Sequence, residues 1–133
     1  MPKLTQTLNQ LLAALPGDSL REWQSHLEEV DLRLGDVLYE SGSTMGYAYF
    51  PTSAVISILS DLESGASAEI AVVGNEGVVG ISIFMGDGST SNSAVVLSAG
   101  KGYRLKAAVL RSAFNRSPDV MRLLLSRYSC ATS

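Results

Sequence analysis

From Glu28 onward the chain is a succession of short apolar runs, each cut off by turn residues, and that cadence limits what it can fold into. Val30 and Leu32, then Val37 and Tyr39, alternate with polar neighbours, with Gly35-Asp36 and Ser41-Gly42-Ser43 as breaks. Tyr47 to Pro51, Ala54 to Leu59 and Ala68 to Val73 follow, the last two separated by a turn at Glu63-Ser64-Gly65. Ser93 to Ser98 is a further strand, and Gly100-Lys101-Gly102 is expected to turn the chain into Tyr103-Arg104-Leu105. Strands this short, with turn chemistry roughly every 8–12 residues, belong to an antiparallel sandwich or roll.

Helical patterns flank this β region. Leu4, Leu8, Leu11, Leu12 and Leu15 form one apolar stripe, ended by Pro16-Gly17-Asp18. Asp18 or Ser19 is the expected cap of a second helix that buries Leu20, Trp23 and Leu27. After the strands, Val109, Leu110, Ala113 and Phe114 share a helical face. Ser117-Pro118 then signals a new helix start, over about 118–130. The expectation is a single α+β domain over 1–133, an antiparallel β-roll or jelly roll flanked by N- and C-terminal helices.

The composition excludes several functions. The formal net charge is -3, and the ten basic residues form no cluster, so this chain alone is not expected to bind DNA. One cysteine, Cys130, and one histidine, His26, cannot build an internal disulfide, a zinc cluster or an iron–sulfur site. A metal enzyme of the cupin type, which gathers several histidines, is disfavoured for the same reason. No secretory leader and no apolar run of membrane-spanning length is visible, so a cytoplasmic protein is expected. Charged residues make up only 17% of the chain, a surface apolar enough to expect contact with a partner.

Three stretches carry a resemblance: Tyr49-Phe50-Pro51-Thr52-Ser53, the run Ala68 to Gly80 (AEIAVVGNEGVVG), and Gly102-Tyr103-Arg104-Leu105. Over about Leu8 to Arg127 the chain resembles the Crp/Fnr family of transcription regulators. The resemblance implies a sensor domain with a cyclic-nucleotide-binding-type fold, not an enzyme, followed by a long helix that pairs with a second subunit. In that family a winged helix-turn-helix domain then reads DNA; no such recognition helix is found in this chain.

The family's phosphate cassette combines a glycine, the amino end of a short helix, an Arg that forks onto phosphate and a Glu that accepts from the ribose. Here Gly80 fits the glycine and Ile81 to Met85 the short helix. Asn92-Ser93-Ala94 fits the stretch that reads Arg, Ser or Thr, Ala. The two decisive groups are replaced: Ile81 stands for the Glu and Asn92 for the Arg. A hydrogen bond to a charged group contributes roughly 1.5–3 kcal/mol, so losing both weakens binding by about a hundredfold or more. Cyclic AMP is therefore disfavoured as ligand, and no cofactor is assigned. Two alternatives stay open for the cassette. Ser82, Asn92 and Ser93 hold a neutral or weakly polar effector, with Ile70, Val72 and Ile81 as the wall, or the loop is vestigial and fills itself.

Other polar groups read as structural. Glu69 and Glu76 lie near the cassette without a nucleophile or basic partner, which suits solvated or turn-stabilising roles. His26 reads as a surface residue, and a redox role for Cys130 is disfavoured by a reducing compartment. In the last helix Val120, Leu124 and Tyr128 can face the roll, which leaves Met121, Leu125 and Leu123 pointing elsewhere. A second apolar stripe marks a partner helix, so a homodimer through Met121, Leu124, Leu125 and Tyr128 is expected. The functional expectation is the effector-sensing and dimerisation domain of a DNA-binding regulator. The competing expectation is a stand-alone module that binds a small molecule or a protein.

Overall fold

The computed structural model describes residues 9–15, 17–40, 46–61, 64–80, 92–116, 118–119 and 122–123. Two helices open the chain, α1 (Gln10–Ala14) and α2 (Gly17–Gln24). Seven strands follow: β1 (Glu28–Leu32), β2 (Val37–Tyr39), β3 (Tyr47–Pro51), β4 (Val55–Asp61), β5 (Ser67–Val73), β6 (Asn92–Ser98) and β7 (Gly100–Lys106). The helix α3 (Ala107–Arg116) begins with no intervening residue. Further helical residues lie at 118–119 and 122–123, within the span expected for the last helix.

The strands form two antiparallel sheets, one in the order β1-β7-β3 and one in the order β2-β6-β4-β5. Side chains alternate across each strand, so each sheet offers two faces. On the three-stranded sheet, Ala48, Phe50, Tyr103 and Leu105 pack against Leu11, Leu12, Leu20, Trp23, Leu27, Leu110 and Ala113 of the helical layer. Trp23 is fully buried, and its ring lies 5.9 Å from that of Phe50 at a tilt of 51°. The alternate residues Leu32, Val30 and Tyr49 face the second sheet and join Ile56, Ile58, Val73, Ala94 and Val96 in a separate inner cluster. The three-stranded sheet is thus the middle layer, between helices and the second sheet. This is the expected α+β roll.

Two sequence expectations are corrected here. The helix α2 begins at Gly17, so Asp18 does not cap it. Asp18 sits in the first turn instead, where a carboxylate complements the positive end of the helix dipole. Gly100 and Gly102 do not form a turn either. Both lie within β7, and the chain leaves one sheet for the other at Ala99. Their glycine identity has a different cause. A Cβ on Gly100 would stand 2.5 Å from the Ala54 nitrogen, and one on Gly102 would stand 3.0 Å from the Phe50 carbonyl oxygen. Between them the Lys101 carbonyl accepts from the amides of Thr52, Ser53 and Ala54 at 2.9, 3.0 and 3.2 Å, which wraps the β3–β4 corner tightly over β7.

A second crossing leads to the site. After β5 the chain turns through Gly74–Gly77 and reaches the middle sheet, where Val79 bridges Tyr49 by reciprocal 2.8 Å hydrogen bonds. Val79 is 2% exposed and belongs to the inner cluster.

Candidate functional site

Gly80 follows that bridge. It is buried, and its φ of 120° lies where a residue with a Cβ is strained, so the glycine is required by the backbone at this bend. Ile81 and Ser82, the next expected site residues, lie outside the described residues. Asn92, Ser93 and Ala94 open β6, paired with Ser60, Leu59 and Ile58 of β4. Ala94 is fully enclosed in the inner cluster, while Asn92 and Ser93 are half-buried at the strand's beginning. Val79 and Ala94 belong to the same cluster, so the glycine bend and the start of β6 flank one interior.

The expected pocket wall is corrected. Ile70 and Val72 are 43% and 45% exposed, while Val73 is 2% exposed and Ala71 packs against the inner cluster. The apolar run Ile70 to Val73 carries apolar side chains on both faces, so the sequence alone does not say which pair turns inward. A bulge decides it. Ile58 pairs with Ala71 but Leu59 pairs with Glu69, which leaves Ile70 as the extra residue. Ala71 and Val73 line the interior, and Val72 shares the outer face with its exposed neighbours.

The two acidic candidates have structural partners. The Glu76 carboxylate accepts from the Gly74 amide at 3.0 Å and closes the turn before Gly80. The Glu69 carboxylate accepts from the Ser57 hydroxyl at 2.6 Å. His26 is exposed and lines an open groove between α2 and α3 with Glu22, Val109, Ser112 and Arg116, of which Arg116 pairs with Glu22. Met121, Leu124, Leu125, Tyr128 and Cys130 lie outside the described residues. Among the described residues there is no cluster of three or more His, Cys, Asp and Glu suited to a metal ion. No described helix is long and apolar enough to cross a membrane.

Two groups outside the expected site residues bear on this region. Asn9 is fully buried and makes four hydrogen bonds. Its Oδ1 accepts from the amides of Leu11 and Leu12 at 3.0 and 3.1 Å and so caps α1. Its Nδ2 donates to the carbonyls of Pro51 and Gly77 at 2.7 and 2.9 Å. The Gln10 amide donates to the Asn75 carbonyl at 2.6 Å. The start of α1 is thereby stapled to the turn that delivers Gly80. A capping Asn before a leucine-rich run is a readable signal, but its partners 42 and 68 positions away are not.

The second group is Arg104, on β7. Its Nη2 lies 3.2 Å from Glu28 Oε2, and its guanidinium sits 4.3 Å over the Tyr47 ring centroid. Burial raises the pKa of the nearby Tyr49 phenol above its ordinary value, an effect the Arg104 charge partly offsets. The phenol therefore stays protonated at neutral pH.

Comparison with known proteins agrees with this architecture. Residues 29–117 match the family model of the cyclic nucleotide-binding domain. No curated protein sequence matches the chain. Among solved structures, the N-terminal domain of a transcriptional regulator from Streptomyces coelicolor A3(2) is 25% identical, with a TM-score of 0.68 over 95% of this chain and 88% of that one. The sensor domain of the transcriptional regulator DNR from Pseudomonas aeruginosa is 18% identical, with a TM-score of 0.74 over 94% and 86%. The Thermus thermophilus catabolite activator protein is 18% identical, with a TM-score of 0.72 over 90% of this chain but 56% of its own. One neighbour is thus the N-terminal domain of a transcriptional regulator and another the sensor domain of one, which agrees with the resemblance. The two-sheet roll, the glycine bend after Val79 and a match that runs from β1 to the end of α3 together show that the chain belongs to the cyclic nucleotide-binding domain family.

Proposed function

We propose that the chain is the effector-sensing and dimerisation domain of a Crp/Fnr-type transcription regulator, and that its cassette does not respond to cyclic AMP. The observation that carries the second half is the start of β6. Asn92 puts a neutral amide two residues before the enclosed Ala94, where the family motif has a phosphate-binding Arg. Ile81, in place of the ribose-binding Glu, removes the second polar anchor. A phosphodiester in such a site keeps its charge without a partner, which is costly in a part-buried setting.

The sensing half draws on connectivity. The strand β7 runs into α3 without a loop, and α3 is held on the middle sheet through Leu110 and Ala113. A ligand that shifts β7 therefore shifts the first turn of α3, and through it the helix that follows. In the intact regulator that displacement would reorient the DNA-binding domains by favouring one of two arrangements. Dimerisation through Met121, Leu124, Leu125 and Tyr128 is part of the same proposal, and sedimentation equilibrium tests it: a species of twice the chain mass supports the dimer, and monomer alone at high concentration refutes it.

A restored cassette tests the ligand reading. The double variant Ile81→Glu/Asn92→Arg is expected to bind cyclic AMP at least about a hundredfold more tightly than the natural sequence in calorimetric titration. Equal affinity of the two proteins would sink the proposal.

A further inference from the structure

The strands of the middle layer carry more charge than those of the outer one. The three-stranded sheet lies between the helices and the second sheet, yet its strands hold Glu28, Glu29, Asp31, Lys101, Arg104 and Lys106. The four-stranded sheet is the outer layer, and β2, β4, β5 and β6 together hold only Asp61 and Glu69, with no Lys or Arg. An antiparallel sheet with one solvated face normally alternates apolar residues inward with polar residues outward. Here that alternation fails on the outward side.

A cross-strand row runs over the outer face. Val37 on β2 opposes Val95 on β6, Val95 opposes Ser57 on β4, and Ser57 opposes Val72 on β5. Directly opposed residues of antiparallel strands share a face. Their chain neighbours Ile56, Ile58, Ala94, Val96, Ala71 and Val73 pack in the inner cluster, so the row points outward. Leu97, set apart by a bulge opposite Val55 and Ile56, lies beside it. Val37 and Leu97 are 52% and 50% exposed, close to the values of Val72 and Ile70. Ser57, the polar member of the row, is buried, and its hydroxyl donates to the Glu69 carboxylate at 2.6 Å. The middle of the face therefore carries no polar group that needs water.

We infer that this outer face is a self-association surface, which packs sheet to sheet on the same face of a second copy of the chain. Strands about 4.8 Å apart with a rise of about 3.3 Å per residue give the face a plan of roughly 400 Å². A standard interface removes about 800 Å² from each partner, a little over half of it apolar. The face supplies the apolar centre of such an interface, and its rim supplies the rest. Without a cation on its strands it holds nothing for a nucleic acid, and one tied carboxylate offers little to steer a partner of opposite charge. A second copy needs no steering of that kind, because a twofold axis sets one apolar patch against itself. The two sheets then lie about 10 Å apart, as stacked sheets do, with Val37, Val72 and Val95 interdigitating. This contact is separate from the expected helix pairing and does not depend on the sensor reading. In a helix-paired regulator it joins one dimer to the next.

The test is a dilution series of the natural chain, from about millimolar to about micromolar concentration, read by backbone amide nuclear magnetic resonance. The amides of Val37, Val72, Val95 and Leu97 are expected to shift together along one dissociation curve, while those of Ala48 and Phe50 on the middle sheet stay in place. Association through the expected helix alone leaves the outer sheet amides unmoved, so the two contacts are told apart by position. Val72→Asp sets a charge into the centre of the face and should weaken this association at least about tenfold. Leu97→Lys, at another strand of the same face, should do likewise, and it decides if Val72→Asp fails to fold. Outer sheet amides that do not move up to millimolar concentration, or an unchanged dissociation curve in a folded variant, overturn the surface. Either result leaves the sensor reading intact.

Discussion

Replacing Asn9 by Ala removes a residue that joins three parts of the molecule. Four hydrogen bonds go at once, at a site with no exposed surface. Loss of the helix cap alone costs about 1 kcal/mol. The Pro51 and Gly77 carbonyls are then left buried without a donor, at roughly 1–3 kcal/mol each. Partial entry of water into the vacated space lowers the sum, and about 4 kcal/mol is the expected loss, a large share of the roughly 5–15 kcal/mol that holds a typical domain together. Urea unfolding followed by Trp23 fluorescence measures it, with an unchanged slope as the sign that the unfolded state is the same. Asn9→Asp is the sharper variant. Asp is as good a helix cap as Asn on an exposed surface, but here its second oxygen would face two carbonyl oxygens. Burial and those carbonyls raise the variant's carboxyl pKa above its unfolded value. Its stability is therefore greatest below the unfolded carboxylate range and is lost as pH rises through the folded value. The reasoning is refuted if Asn9→Ala lies within about 1 kcal/mol of the natural protein, or if Asn9→Asp matches it at neutral pH.

Further perturbations probe other layers. Gly100→Ala should cost at least about 2 kcal/mol in the same denaturation assay, because its Cβ would stand 2.5 Å from backbone that cannot retreat; a loss under about 0.5 kcal/mol contradicts the close approach. Val73→Asp should abolish cooperative unfolding while Val72→Asp stays within about 1 kcal/mol of the natural chain, since only Val73 faces inward; the reverse order would show that the strand's phase has been misread. The raised pKa of Tyr49 implies that the folded state keeps its phenol proton where the unfolded chain has lost it. That contribution is complete below the ordinary tyrosine range near pH 10 and disappears as pH climbs through the folded value. Tyr49→Phe should flatten this alkaline limb of the stability profile, and an unchanged limb counts against burial of the phenol.

The parts of this molecule that were legible in its sequence are those written in local pattern. The strand runs and the Trp23 anchor follow from spacing and turn chemistry, and each is present, whereas Gly80 stands out only through the family resemblance. What local pattern could not supply was facing and long-range contact. The run Ile70 to Val73 is apolar on both sides, and one bulge chose Ala71 and Val73 for the interior. Gly100 and Gly102 resemble a turn, yet a neighbouring strand corner crossing above them is what demands glycine. Asn9 and Arg104 are ordinary polar residues in sequence, and their roles arise only when Pro51, Gly77, Glu28 and Tyr47 are brought to them by the fold.

The most direct test of the whole account is to titrate the natural chain with cyclic AMP while following the backbone amide of Gly80 by nuclear magnetic resonance. A roll whose cassette lacks its cation should give no saturable shift up to millimolar nucleotide, on the order of a hundredfold or more below an intact cassette. A saturating response at micromolar concentration would contradict it.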